Sequence, residues 1–91
     1  MPIQTLQVTG TLNPDATGTY TYDRVYMLYR RSDNAYVIWV NDTVLLKDWY
    51  ISENTIHDPP SNGWTNFNSD TVIGDYEPRG IYTGTATISE V

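Results

Sequence analysis

The chain contains no cysteine, one histidine, one lysine and one phenylalanine. Without Cys there is neither a disulfide staple nor a thiolate metal site. With His57 as the single imidazole, a tetrahedral zinc site lacks its customary ligands. Nucleophilic catalysis needs a base to activate a hydroxyl or thiol. Ser52 and Ser61 flank His57-Asp58 in sequence, yet no G-x-S-x-G elbow accompanies them, and His57-Asp58 before Pro59-Pro60 reads as an exposed loop pair. The acids fall in turn-forming stretches, at Asp15, Asp33, Asp42, Asp58 and Asp75, where their first role is turn geometry. Glycoside hydrolysis would need two of them facing each other across a cleft. Calcium loops and glycine-rich phosphate cradles are missing as well. The expectation is a protein without catalytic residues, metal or cofactor.

Positive charge is also scarce. Eleven acids outnumber five bases for a net charge of −6. Nucleic-acid binding draws on clustered Lys and Arg, and the one adjacent pair, Arg30-Arg31, reads as a solvated strand end. The surface favours solubility over attraction to anionic membranes. No run approaches the roughly 18–20 apolar residues of a membrane helix. Met1-Pro2-Ile3-Gln4-Thr5-Leu6 has no basic region and no apolar stretch, so the expectation is synthesis in a cytoplasm without a signal peptide, or a fragment cut from a longer chain.

What the chain does have is aromatic and β-branched side chains: eight Tyr, three Trp and thirteen Thr among 91 residues. These suit a pleated surface and disfavour helix. Leu6, Val8 and Leu12 share a parity opposite Thr5, Gln7, Thr9 and Thr11, which marks Ile3 to Leu12 as a half-buried strand. Asn13-Pro14-Asp15 forms a turn, and Gly18 to Tyr22 a second strand. Val25 to Arg31 and Ala35 to Val40 form a hairpin pair around Ser32-Asp33-Asn34, with Asn or Asp in the left-handed position. Asn41-Asp42 reads as a reversal into a strand from Thr43 to Leu46, which Trp49 to Ser52 continues after a kink. Glu53 to Gly63 reads as a loop, of a length that is often functional. Trp64 to Phe67 and Thr71 to Ile73 are short strands, Gly74 to Gly80 a second loop, and Ile81 to Val91 a last alternating strand. Val8-Thr9-Gly10-Thr11-Leu12 echoes Tyr82-Thr83-Gly84-Thr85-Ala86. That echo places the two terminal strands side by side, with each Gly on the apolar face to admit a neighbouring ring.

These segments compose one all-β domain spanning residues 1–91, a small antiparallel sandwich or barrel of about 6–8 short strands. A chain this short buries only roughly 60–65% of its unfolded surface, so Tyr and Trp must fill the core, and association is a second route to stability. Trp39 and Trp49, inside strands, are assigned to the core. Trp64 follows the Pro-rich loop, so it is placed at an interface, where Trp is enriched. Tyr50, Tyr76, His57 and Asn62 join it as candidate contact residues for a partner subunit or a sugar.

The order of aromatic motifs resembles a known type of module. Gly18-x-Tyr20, Tyr29-x-Arg31-x-Asp33-x-x-Tyr36-x-Ile38-Trp39, Trp49-x-Ile51-Ser52, Trp64, Gly74-x-Tyr76-x-Pro78-x-Gly80 and Tyr82-Thr83-Gly84-Thr85-Ala86 are similar to small Tyr/Trp-rich β modules. Such modules recur in bacteriophage virion proteins and in environmental bacterial sequences, and the likeness runs from Leu6 to the C-terminus. Related modules often carry an Asn-Gly reversal after their first Tyr-rich strand, where this chain has Tyr22-Asp23-Arg24. The resemblance implies a non-enzymatic virion structural protein, a capsid decoration or cement protein. Its partners would be other virion proteins such as a major capsid protein, and copies of itself, in a trimer for example. A carbohydrate-binding module or a tail or fibre accessory domain is the alternative. Neither nucleic acid nor membrane is an expected partner.

Overall fold

The computed structural model describes residues 4–42, 47–54, 60–67 and 69–91. Among them the chain forms eight strands and no helix: β1 (Thr5–Thr9), β2 (Gly18–Asp23), β3 (Leu28–Arg31), β4 (Tyr36–Asp42), β5 (Lys47–Glu53), β6 (Gly63–Asn66), β7 (Gly74–Arg79) and β8 (Ala86–Glu90). Each strand pairs antiparallel with the next, and β8 returns to pair with β1, so the sheet closes into an up-and-down barrel. Closure resolves the choice between sandwich and barrel, and it removes the free edges that a small sheet would otherwise expose. The body measures 31 × 27 × 22 Å.

The alternation read in the sequence decides which side chains fill the barrel. Leu6 and Val8 point inward and are fully buried, while Thr5, Gln7 and Thr9 point outward. The outer wall then satisfies itself locally: Thr19 Oγ1 donates to Gln7 Oε1 at 3.1 Å and Thr87 Oγ1 to Asp75 Oδ1 at 2.9 Å. Inside, Leu6, Val8, Tyr20, Ile38, Ile51, Trp64, Tyr76 and Ile88 form one core. At roughly 150–250 Å² buried per ring, three aromatics fill a volume that would take many aliphatic side chains.

Buried rings bring polar atoms with them, and each of these is answered. The Tyr20 hydroxyl donates to the Ala16 carbonyl at 2.6 Å, and the Tyr76 hydroxyl to the Val72 carbonyl at 2.7 Å. Both bonds reach back four residues, so each straps down the loop that leads into its own strand. The indole N–H groups of Trp39, Trp49 and Trp64 donate to Ser52 Oγ, Ser69 O and Gly84 O at 2.9, 3.0 and 3.0 Å. No described buried side-chain polar atom lacks a partner. A small core tolerates this many polar rings only because none is orphaned.

A second cluster sits on the opposite face of the central strands. Leu28, Val37, Trp39 and Tyr50 alternate with the inward-pointing Tyr29, Ile38, Trp49 and Ile51, yet they are buried too. This explains the unbroken apolar run Val37-Ile38-Trp39-Val40: β4 is covered on both faces, so its sequence does not alternate.

The echo between the terminal segments is real in space, for a different reason than a ring in a gap. Gly10 lies against the Thr85 carbonyl and Gly84 against the Thr11 carbonyl. The missing side chains admit backbone, reciprocally, where the chain leaves β1 and enters β8. Two main-chain hydrogen bonds between Asn13 and Thr83, at 3.2 and 3.0 Å, fasten the same seam.

Five segments depart from the sequence expectations. Gly74 to Gly80 is strand β7 up to Arg79 rather than a loop; its inward position is Tyr76, flanked by the outward Asp75 and Glu77, and Pro78 disguises the rest. Val25 to Met27 is a turn rather than the start of a strand, and Asn41-Asp42 continues β4 into pairing with Asp48 and Lys47 instead of reversing. Thr71 to Ile73 is irregular and Ile81 to Thr85 contributes only the Thr83 bridge, because turn bonds at Ser69 and Thr71 and the Gly84 contact replace ladder pairing. The strand expected from Thr43 to Leu46 lies outside the described residues.

Candidate functional site

The aromatic residues offered by the sequence as a contact surface are inside. Trp64 and Tyr76 are wholly buried in the main core, and Tyr50 is 2% exposed in the outer-wall cluster. None of the three presents a ring to a sugar or a partner while the barrel is closed, and they do not share a face. Trp64 lies in the core and not at an interface because neighbours distant in sequence enclose it: its ring packs on Tyr82 at 4.9 Å between centroids, and its N–H donates to the Gly84 carbonyl. Asn62 is half-buried, and its side-chain oxygen accepts from the Ile81 N–H at 2.9 Å, so it holds the turn after β7. His57 lies outside the described residues. Ser52, the hydroxyl weighed against it, is buried, accepts from Trp39 and donates to the Glu53 carbonyl.

The exposed aromatic and apolar chemistry is instead at the β2–β3 hairpin. Asp23 organises it: Oδ1 accepts from the Val25 and Tyr26 N–H groups at 2.9 and 3.4 Å, and the Asp23 carbonyl accepts from the Met27 N–H at 2.8 Å. A side chain that captures nearby N–H groups competes with ladder pairing, which is why β3 begins only at Leu28. Met27 closes the turn with φ of 57°, the left-handed region that non-glycine residues enter at a cost of about 1–2 kcal/mol. The turn raises Val25, Tyr26 and Met27 into solvent at 82%, 67% and 73% exposure.

Arg30 links this tip to the barrel wall. Its guanidinium donates to Asn54 Oδ1 at 2.9 Å and to Asp23 Oδ2 at 3.4 Å, and its Cζ stands 5.4 Å from the Tyr26 ring centroid. A cation over a ring face orients both partners. Asn34 closes the next turn in the left-handed conformation, φ 62°, as the spacing predicts. Asp23, Tyr26, Leu28, Arg30, Asn34 and Asn54 line an open cleft of about 580 Å³. A second depression of about 460 Å³ shares Asp23, Arg30 and Asn34 with it and adds Arg24 and Arg31 to its walls. Three of the chain's five bases thus gather here, on a molecule of net charge −6.

Arg31 is not the solvated strand end read from sequence. It makes a forked pair with Asp33, at 2.9 and 2.7 Å, and donates to the Asp15 and Thr17 carbonyls at 2.9 and 3.1 Å. Its Cζ also lies 4.8 Å from the Tyr36 ring centroid. The Arg31 hydrogen bonds, helped by the Ala35 N–H, hold the Asp33 carboxyl at about 2. Planar guanidinium geometry is what permits one side chain to pin the loop before β2 to the β3–β4 turn.

The remaining electrostatics favour inert phenols. Burial pushes the hydroxyls of Tyr20, Tyr76, Tyr82, Tyr29 and Tyr36 above their ordinary range. They remain neutral donors at any physiological pH, suited to structural bonds. Among the described residues no three His, Cys, Asp or Glu side chains converge as metal ligands would. What the site offers is shape, one exposed ring and forked polar groups, which is recognition chemistry. Comparison with protein-family models, curated proteins and solved structures finds no match to this chain.

Proposed function

We infer that the protein is a non-enzymatic structural component of a virion, a capsid decoration or cement protein that works by contact with copies of itself and with a major capsid protein. The observation that carries the contact part is the β2–β3 tip. Val25 and Met27 stand almost free of the barrel on a turn pinned by Asp23. Apolar side chains raised on a reinforced turn are costly for a lone soluble chain, and such exposure marks interaction sites. Phe67 and Ile81 add further exposed apolar surface. Repetition by symmetry turns such small contacts into a stable assembly. Support for the virion setting comes from the order of the aromatic motifs.

Light scattering coupled to size exclusion tests the contact reading. The wild-type chain is expected to form a defined oligomer, and V25S/M27S to run as a folded monomer with an unchanged β-sheet circular-dichroism spectrum. Wild type and variant eluting in the same state would overturn the role given to the tip. The virion setting predicts the chain at fixed stoichiometry to the major capsid protein in purified particles, and absence from particles would overturn it.

A further inference from the structure

We propose that the cleft between the β2–β3 tip and the barrel wall is a binding site for a neutral saccharide. Three observations converge. Tyr26 is a two-thirds exposed ring at the cleft wall, positioned by a hydrogen bond from its N–H to the Asp23 carboxylate and by the Arg30 guanidinium. The non-polar face of a pyranose carries C–H bonds made slightly positive by the ring oxygens, and these are attracted to the negative face of an aromatic ring. Beside that ring, Asp23, Arg30, Asn34 and Asn54 supply a carboxylate, a guanidinium and two amides. The carboxylate accepts, the guanidinium donates and the amides do both, so together they can answer the donors and acceptors of adjacent hydroxyls.

The third observation is that the forks are prearranged. Arg30 is held by Asn54 at 2.9 Å and Asp23 at 3.4 Å, and the Asn34 main chain is set by the turn it closes. Ordering Asp23, Arg30 and Asn54 is therefore not charged against binding. The volume, about 580 Å³, falls within the roughly 300–1,000 Å³ of small-ligand sites and accepts a short oligosaccharide.

An uncharged ligand fits the local balance. The Arg30 charge is already met by Asp23, and the chain as a whole is acidic. An anionic sugar would find no unmatched cation among the groups that line the cleft, where Arg30 is paired with Asp23. The site is open and shallow, so affinity in the millimolar range is expected, raised in an assembly by multivalency. The inference goes beyond the contact role: Val25 and Met27 do not line the cleft.

The test is an amide NMR titration of the full chain with cellobiose, maltose, lactose and N,N′-diacetylchitobiose, with sialyllactose as the anionic counterpart. At least one neutral disaccharide should produce saturable shifts centred on Asp23, Tyr26, Leu28, Asn34 and Asn54. Y26A should weaken that binding at least about tenfold, and Y26F should retain it, since the ring is what the sugar packs on. Because Tyr26 is exposed, both variants should melt with the wild type. V25S/M27S should bind sugar normally, so a failed self-association and a failed sugar site are told apart. No saturable shift with any neutral disaccharide would overturn the proposal. So would shifts elsewhere on the barrel, full binding by Y26A, or sialyllactose binding tighter than lactose.

Discussion

Trp64→Ala is expected to remove about 3–5 kcal/mol of stability, read as a lowered urea midpoint at an unchanged slope. The ring is wholly buried at the centre of the main core. Truncation leaves a cavity that short, cross-braced strands cannot collapse around. It also breaks the ring contact with Tyr82 at 4.9 Å, a pair worth about 0.5–1.5 kcal/mol beyond area, and leaves the Gly84 carbonyl without its indole donor. A domain of this size has only about 5–15 kcal/mol to lose, so the variant sits close to unfolding. Phe67→Ala, at an exposed ring, is the matched control and should change stability far less. Comparable losses at both positions would contradict the placement of Trp64.

Gly84→Ala is expected to cost about 3 kcal/mol or more by two separate mechanisms. The first is conformational: φ at Gly84 is 93°, where an L side chain is strained. The second is steric. A Cβ there would drive into the Thr11 carbonyl, which is backbone and cannot swing aside. Relief requires the segment after β1 to separate from the segment before β8, loosening the Asn13–Thr83 bridge. Gly10 meets the Thr85 carbonyl 2.5 Å from its own would-be Cβ, at φ 132°, so Gly10→Ala should behave alike. Thermal melts read the effect: about 1 kcal/mol moves the midpoint of a domain this size by about 4–8 °C. Since Trp64 donates to Gly84, the double variant W64A/G84A should lose less than the sum of the singles. An alanine at either glycine that left the melting temperature unchanged would mean that the seam is not closed as described.

The strand content of this fold was largely legible, and the reasons are local. Alternation in Leu6 to Thr9 and the spacing around Asn34 depend on neighbours in the chain, and sequence displays those directly. The echo of Gly10 and Gly84 correctly joined the ends of the barrel, although it could not say that a carbonyl, not a ring, fills each gap. β7 was hidden because one inward Tyr76 among Asp, Glu, Pro and Arg carries little of the period of a strand. The Asn13–Thr83 bridge and the Trp64–Gly84 bond were hidden because both partners are far apart in sequence.

The site was less legible than the fold, for a related reason. Val25-Tyr26-Met27 looks like strand, and only the Asp23 side chain turns it outward. One signal was available: Asp23 interrupts the aromatic run, and Asp is a turn former that binds N–H groups two and three residues on. Followed through, that would have ended β2 at Asp23 and exposed the three residues beyond it. The cleft itself combines Asp23 and Tyr26 from one hairpin with Asn34 from the next turn and Asn54 after β5. No spacing rule joins those three segments. They meet because β2, β3, β4 and β5 are successive neighbours in the barrel.

Everything rests on which rings face water. Side-chain NMR with a soluble paramagnetic agent measures that directly, since relaxation falls steeply with distance from solvent. Strong enhancement is expected at the Tyr26 ring and at the methyl groups of Val25 and Met27, with little at the rings of Tyr20, Trp64 and Tyr76. A Trp64 ring as accessible as that of Tyr26 would contradict the closed aromatic barrel and, with it, the assignment of contact to the hairpin tip.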